Sequence, residues 1–197
     1  MDRTSDILTV QVSLAGSYHE SLLPILEGLL FVAGTEGISS KEIARVLAIP
    51  EHDVEPLCSQ VASWQNQQGR MFEAKLIAGA WQLVTVSSLS PYLERLAVVP
   101  TPAALSQAAL EALAIIVYKQ PITRSEVEMI RGVKSDRAIG TLIARGLIKE
   151  AGRAQGPGRP FLYETTKDVL EYFGLSSREE LLAMFDRIAM ADTDEKA

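Results

Sequence analysis

Apolar residues recur at helical spacing through most of the first half of the chain. The pattern predicts three helices, at residues 20–33, 40–47 and 50–68, because apolar positions three and four apart line one face of a helix. Two short runs follow, at Phe72 to Ile77 and at Trp81 to Val86, and they predict a β-hairpin. Three helices followed by a hairpin is the element order of a winged helix-turn-helix.

The second half repeats this order. Its pattern predicts helices at Leu105 to Tyr118, from Thr123 to about Gly132 and at Ser135 to Arg145, and strands at Leu147 to Ala151 and Phe161 to Glu164. A shift of 84 residues places Ser39 and Glu42 over Thr123 and Glu126, and each pair has the spacing of a capping box at a helix start. The alignment needs no gap. We interpret it as an internal duplication.

These elements predict a mostly α protein with small β-hairpin wings, of the α+β class, built from two tandem winged-helix domains. The expected limits are an N-terminal extension at 1–17, domain 1 at 18–97, a linker at 98–104, domain 2 at 105–175 and a C-terminal helix and tail at 176–197. Disorder is expected from Ala191 onward. Leu8, Val10, Val12 and Leu14 alternate with polar residues, which leaves open an added edge strand or a frayed extension.

Charge and composition restrict the function. Acidic residues outnumber basic ones by 25 to 19, so simple coating of nucleic acid is not expected. The single cysteine cannot form an internal disulfide, and no apolar run is long enough to span a membrane, so a cytoplasmic protein is expected. His19 and His52 lack neighbours at ligand spacing, and no nucleophile–base pair is present. We therefore expect no metal, no cofactor and no enzyme activity.

The second domain is the more basic one, with ten basic and eight acidic residues between 104 and 174. A solvated surface, an acidic protein partner and phosphate contact all remain open for these charges. In its third helix, Ala138, Ile139, Leu142 and Ile143 are expected in the core, which leaves Arg137 as the one long outward side chain. Sequence-specific base readout is therefore not expected. The loop 156–160 predicts a rigid wing tip that presents Arg159.

The first helix of domain 2 has more apolar surface than one small core can bury. One stripe contains Leu105, Ala109, Leu113 and Ile116, and a second contains Leu110, Ala114 and Val117. In domain 1, Leu23 and Ile25 fall off the stripe of the first helix. A second apolar face usually meets another surface, and here the neighbouring domain, a hairpin and a partner protein all remain possible.

Several residue blocks of the second half resemble one family. They are 105–111, 118–124, 130–133, 135–136, 145–148, 157–160 and 171–175, and the first half is similar chiefly at 29–34 and 81–84. Together they resemble the family of ScpB, the segregation and condensation protein of bacterial chromosomes. Two residues depart from the pattern of that family: Glu164 stands where the family usually has glycine, and Gly140 lies inside an expected helix.

The resemblance implies a non-catalytic homodimer that binds the kleisin ScpA and, through it, the SMC ATPase at the nucleoid. Direct DNA contact is expected to be weak or absent, and a winged-helix DNA-binding transcriptional regulator is the alternative. Leu23 and Ile25 are the expected dimerisation residues. The expected partner-binding residues are Leu110, Ala114, Val117, Lys119, Arg124, Arg131, Arg137 and Arg159.

Overall fold

The computed structural model describes the backbone of residues 17–96 and 104–194, and the side chains of residues 21–96 and 104–188. The described residues form two compact units, one from residues 17–75 and 81–90, the other from residues 76–80, 91–96 and 104–194. Both are rich in helix and carry small antiparallel sheets, which confirms the expected fold class. Residues 1–16, with the alternating pattern, and most of the predicted linker lie outside the described residues.

Four helices and one hairpin are described within residues 17–96. They are α1 (Ser17–Ala33), α2 (Ser40–Leu47), α3 (Val54–Gln67), β1 (Phe72–Ile77), β2 (Ala80–Thr85) and α4 (Ser90–Leu96). Three 3-10 turns lie between them, at Gly34–Glu36, Glu51–Asp53 and Ser87–Leu89. β1 and β2 form a two-stranded sheet, and a single bridge joins Ile38 to Trp81 beside it.

The core of the first unit lies between α1 and α3. The expected stripe of α3 is fully buried and packs with the inner side of α1; its members are Val54, Leu57, Cys58 and Val61. Burial raises the pKa of the Cys58 thiol to about 12, so this side chain behaves as a small apolar residue. Gln65 is also buried, and its amide accepts a hydrogen bond from the Ala74 N–H at 2.9 Å and donates one to Glu27 at 3.2 Å.

The second half contains the elements α5 (Gln107–Lys119), β3 (Ile122–Thr123), α6 (Arg124–Arg131), α7 (Asp136–Ala144), β4 (Ile148–Arg153), β5 (Phe161–Thr165), α8 (Asp168–Phe173) and α9 (Arg178–Asp194). The sheet order is β3-β5-β4, and both pairs are antiparallel. β3 is paired through Ile122 with Tyr163. A bulge between Glu150 and Gly152 interrupts β4, where Gly152 has a φ of 122°.

The last helix completes the second core. Leu181 and Phe185 of α9 are buried against α5, and the Phe173 ring meets the Phe185 ring edge-on at 6.0 Å. α9 extends to Asp194, so the disorder expected from Ala191 is wrong for residues 191–194. Alanine is the best helix former, and the sequence at 189–191 contains two alanines that favour continuation of the helix.

The two halves match residue for residue at their second helices. α2 and α6 start 84 residues apart, and both start from complete capping boxes. In the first, Glu42 N–H donates to Ser39 Oγ at 3.3 Å; in the second, Glu126 N–H donates to the Thr123 hydroxyl at 3.3 Å. The capping carboxylates accept the cap N–H groups in return, at 3.0 and 2.8 Å. The structure supports the duplication.

The third helix of the second unit differs from expectation at one position. Ala138, Ile139 and Leu142 are buried, but Ile143 is exposed. Successive helix residues are rotated by 100°, so Ile143 lies beyond Leu142 on the outward side of α7. The outward face of α7 is consequently more apolar than the sequence indicated.

Candidate partner-binding surface

An apolar groove lies between α5 and α6 on the second unit. It has a volume of about 330 Å³, and its lining side chains are Ala114, Ile115, Tyr118, Lys119 and Ile130. α5 contributes four of them because its inner side faces the core through Leu113 and Ile116, which leaves the adjacent side free. Two of the expected contact residues, Ala114 and Lys119, therefore come together here.

α6 supplies the second wall of the groove and extends the apolar surface. Val127 is the single buried residue of α6, whereas Met129 and Ile130 are exposed. Val133, which lies just beyond the end of the helix, is exposed as well. Gly132 ends the helix in a left-handed conformation and turns the chain at this point. Exposed large apolar side chains grouped beside a groove are typical of a protein-binding surface.

Tyr118 is fixed at the edge of the groove by α9. Its hydroxyl contacts the Asp186 carboxylate and the Leu182 carbonyl oxygen, the latter at 3.3 Å. The hydrogen bond to Asp186 raises the pKa of Tyr118 above its ordinary value. The ring is thus neutral at physiological pH and presents a pre-positioned apolar wall.

Val117 does not reach the surface. It is fully buried, because α9 packs across this side of α5 and Arg178 donates to the Val117 carbonyl oxygen at 2.8 Å. Val117 is therefore not available at the surface of the single chain, and its contact with a partner stays a prediction. Leu110 is half-buried against the same core. The second apolar stripe of α5 is explained largely by the chain's own last helix.

Arg131 is a structural residue rather than a surface cation. Its side chain is 6% exposed and joins three elements. Nη2 donates to Glu111 Oε2 at 2.9 Å, Nε donates to the same oxygen at 3.3 Å, and Nη1 donates to Ser135 Oγ at 2.7 Å. The hydrogen bond from Arg131 holds the pKa of Glu111 below its ordinary value. Three of the five guanidinium N–H groups of Arg131 are thus engaged within the unit, and a contact from Arg131 to a partner stays a prediction.

The other predicted cations are exposed but lie on different elements. Arg124, at the start of α6, forms an exposed ion pair with Asp136. Arg137 extends from α7, and Lys119 ends α5. Arg159 lies at the wing tip with a φ of 39°, and its carbonyl oxygen accepts a hydrogen bond from Arg153 at 3.0 Å. Lys119 is the one cation among the groove's lining residues.

On the first unit, the two expected dimerisation residues differ in exposure. Leu23 is buried, so in the single chain it packs in the core of its own unit, and its role in dimerisation stays a prediction. Ile25 is exposed, and so is Val32 two turns later on the same face of α1. Between them, a Cβ added at Gly28 would meet no atom within 4 Å. A strip of α1 along Ile25, Gly28 and Val32 is therefore open to another surface.

Sequence reasoning missed most of the groove. Ile115 and Ile130 are not among the predicted contact residues, although the pair Met129-Ile130 is unusually apolar for exposed helix positions. A signal was available in α6. Its eight residues include three apolar ones, Val127, Met129 and Ile130, and so short a helix cannot turn all three toward one core, because residues 127 and 129 lie about 200° apart around the axis.

The structure offers no candidate metal centre among the side chains of residues 21–96 and 104–188, since no three His, Cys, Asp or Glu side chains gather there. No helix in the same ranges is long and apolar enough to cross a membrane.

The sequence matches the family profile described as segregation and condensation complex subunit ScpB over residues 24–184. A protein named segregation and condensation protein B from Brevibacillus brevis is 48% identical over 163 residues, which cover 83% of this chain and 84% of the relative. The protein of the same name from Geobacillus thermodenitrificans is 49% identical over 157 residues, which cover 80% and 75%.

Solved structures of lower identity also match. The crystal structure of ScpB from Mycobacterium tuberculosis is 30% identical and covers 83% of this chain and 99% of that chain, with a TM-score of 0.37. A crystal structure described as a dimer of the ScpB N-terminal domain complexed with ScpA peptide is 29% identical and covers 41% and 99%, with a TM-score of 0.38.

Proposed function

Since the chain belongs to the family of the segregation and condensation complex subunit ScpB, we propose that it is a non-catalytic adaptor of the bacterial SMC complex. It binds a kleisin of the ScpA type and, through the kleisin, the SMC ATPase. In this role it contributes to chromosome condensation and segregation during cell division. It acts in the cytoplasm at the nucleoid, as a homodimer.

The groove between α5 and α6 is the observation that carries this proposal. Its walls, including Ala114 and Ile130, are apolar, and Lys119 stands at its edge. An apolar kleisin segment gains free energy by leaving water for such a groove. The exposed cations Lys119 and Arg137 raise the rate of encounter with an acidic partner and fix its orientation more than they raise affinity.

The homodimer is assigned to α1 of the first unit. Ile25 and Val32 are both exposed, and Gly28 between them lets a second helix approach closely. The first half is acidic, with eight acidic and four basic residues between 18 and 88, and does not favour contact with DNA. Arg137 is the one long basic side chain on the outward face of α7, so direct DNA contact is weak or absent.

The experiment is a binding measurement between the full chain and the ScpA-type protein of the same organism, with the pair Ile130→Asp and Val46→Asp. These residues are 84 positions apart on the duplicated helices α6 and α2, and they are exposed to 53% and 51%. A buried carboxylate in the groove is unfavourable, so Ile130→Asp is expected to weaken kleisin binding at least tenfold, about 1.4 kcal/mol or more. Val46→Asp is expected to leave the affinity unchanged.

Equal affinities for the two variants would reject the groove as the binding site. Failure of the parent chain to bind the kleisin in low salt would reject the function itself. Tight binding to duplex DNA whose affinity falls steeply with salt would instead favour the regulator, because such a slope reports several phosphate contacts.

A further inference from the structure

The hairpin of the first unit has one open edge. Ile38 and Trp81 exchange two hydrogen bonds of 2.9 Å on the side of β2 that faces away from β1. Backbone directions alternate along a strand, so the N–H and C=O groups of Leu83 and Thr85 point the same way as those of Trp81. Past the single bridge, no further strand pairs with this side of β2 in the residues that the structure describes.

The second unit closes the same edge. There β3 is paired with β5 through Ile122 and Tyr163, which correspond to Ile38 and Trp81 by strand pairing and not by the fixed shift of 84 residues, because the two hairpins differ in position by two residues. Two residues after Tyr163 on β5, at Thr165, the Gln120 side chain covers what remains of the edge. Its Oε1 accepts hydrogen bonds from the Thr165 N–H at 2.6 Å and from the Thr165 hydroxyl at 2.9 Å.

The first unit lacks this cover. The counterpart of Thr165 is Leu83, and the residue 84 positions before Gln120 is Glu36. A carboxylate can accept a hydrogen bond as an amide does, yet Glu36 is exposed and makes no hydrogen bond to β2 in the described part of the chain. An unpaired strand edge recruits other chains, and proteins usually pair it or cover it.

An apolar groove runs beside the open edge. It has a volume of about 480 Å³, and its lining residues are Leu30, Phe31, Gly34, Thr35 and 82–85. The Phe31 side chain is 77% exposed. A strand that adds to β2 and has one apolar face would fill the groove on that face and leave its polar face in water.

The chain itself contains such a segment. Residues 1–16 precede α1, and Leu8, Val10, Val12 and Leu14 alternate there with Thr9, Gln11 and Ser13. No residue between 7 and 16 is charged. Valine, isoleucine and threonine are residues that favour strands, and the period of two gives the segment one apolar face.

The segment is long enough to reach the groove. From Ser17 to Phe31, α1 rises about 21 Å, at about 1.5 Å per residue. An extended chain covers that distance in about six or seven residues. Counting back from Ser17, residues 8–11 therefore come within reach of the edge beside Phe31, and the short connection keeps their local concentration high.

From these observations we infer that residues 8–11 of the same chain add to the open edge of β2 as a third strand and cover Phe31. This occupant is favoured over a partner segment because it is covalently attached, of sufficient length and patterned for one apolar wall. The first unit then has a three-stranded sheet, like the second.

The test is residue-resolved amide exchange on the full chain, with Leu8→Asp/Val10→Asp and the matched control Thr9→Asp/Gln11→Asp. In the parent and in the control, the Leu83 and Thr85 amides are expected to exchange at least about tenfold more slowly than in Leu8→Asp/Val10→Asp. The Gln82 and Val84 amides face β1 and are expected to stay protected in all three proteins. They report that the unit is still folded.

Equal exchange of Leu83 and Thr85 in the parent and both variants overturns the inference. Protection that appears only at concentrations where the chain dimerises overturns it in favour of a strand from a second copy. Protection that is absent in the isolated chain and appears on addition of the ScpA-type protein overturns it in favour of a partner segment.

Discussion

Ala48 ends α2 in the same left-handed conformation in which Gly132 ends α6, 84 residues later. The backbone angles are φ 53° and ψ 43° at Ala48, and φ 73° and ψ 3° at Gly132. Each cap N–H returns to the carbonyl oxygen four residues earlier, on Ala44 and Glu128. A residue with a Cβ pays roughly 1–2 kcal/mol for this conformation, whereas glycine adopts it freely.

We predict opposite effects of exchanging these residues. Ala48→Gly is expected to raise the free energy of unfolding by about 0.5 kcal/mol, because relief of the backbone conformation exceeds the added entropy of the unfolded chain. Gly132→Ala is expected to lower it by about 1 kcal/mol. The added Cβ meets nothing within 4 Å, so this loss arises from the backbone alone.

Urea unfolding measures both effects. The two tryptophans, Trp64 and Trp81, lie in the first unit, so their fluorescence reports Ala48→Gly, and far-ultraviolet circular dichroism reports Gly132→Ala. Changes of the same sign at the two positions would contradict the equivalence of the two helix ends.

Arg131 is expected to stabilise the second unit more than any exposed ion pair does. Arg131→Met removes donors to Glu111 and Ser135 from a side chain that is almost fully buried, and we expect the free energy of unfolding to fall by about 2 kcal/mol. Thermal or urea unfolding gives the value.

Arg124→Met is the matched control on the same helix. Arg124 pairs with Asp136 in water, where both side chains are more than half exposed, and such pairs contribute less than about 0.5 kcal/mol. If the two substitutions had equal effects, the buried network around Arg131 would contribute no more than a surface ion pair.

The same network predicts a dependence of stability on pH. Arg131 lowers the pKa of Glu111 in the folded chain, so the ionised carboxylate stabilises the fold above the unfolded pKa of about 4.3. This stabilisation is lost as the pH falls through the lower, folded pKa. Between neutral pH and pH about 3, the free energy of unfolding should therefore fall more steeply in the parent than in Glu111→Gln.

Arg131→Met tests the cause of this slope, because it removes the hydrogen bond that lowers the pKa of Glu111. It should flatten the pH dependence as Glu111→Gln does, and the double variant should be no flatter than either one. If Arg131→Met kept the same dependence of the free energy of unfolding on pH as the parent, that dependence would arise from other carboxylates. Candidates are the capping residues Glu42 and Glu126, whose pKa values are also lowered.

The elements that depend on local sequence could be predicted. Capping boxes at Ser39 and Thr123 fixed the starts of α2 and α6, because a cap and its partner are three residues apart in the chain. The prediction of the buried apolar stripe of α3 is also confirmed, because helical spacing alone shows which residues share one face of a helix. The repeat of 84 residues added information, because each half supported the interpretation of the other.

The surface could be predicted far less well. Val117 and Arg131 seemed available because helical spacing shows which residues share a face but not which element covers it. α9 covers Val117 from more than 60 residues away, and Glu111 engages Arg131 from 20 residues away. Ile130, in contrast, has the spacing of a core residue, three positions after Val127. In the structure α6 buries Val127 alone, so Ile130 is exposed.

The dimer proposed for α1 gives the last prediction. Ile25→Glu and Val32→Glu each place a carboxylate on the strip along Ile25, Gly28 and Val32, and burying an unpaired charge between two copies is costly. In light scattering at tens of micromolar, we expect the parent to have the mass of two chains and each variant the mass of one. Met129→Glu, on an exposed residue of the other unit, should keep the mass of two. A parent of one-chain mass would exclude the dimer, and dimeric variants would move it to another face of the molecule.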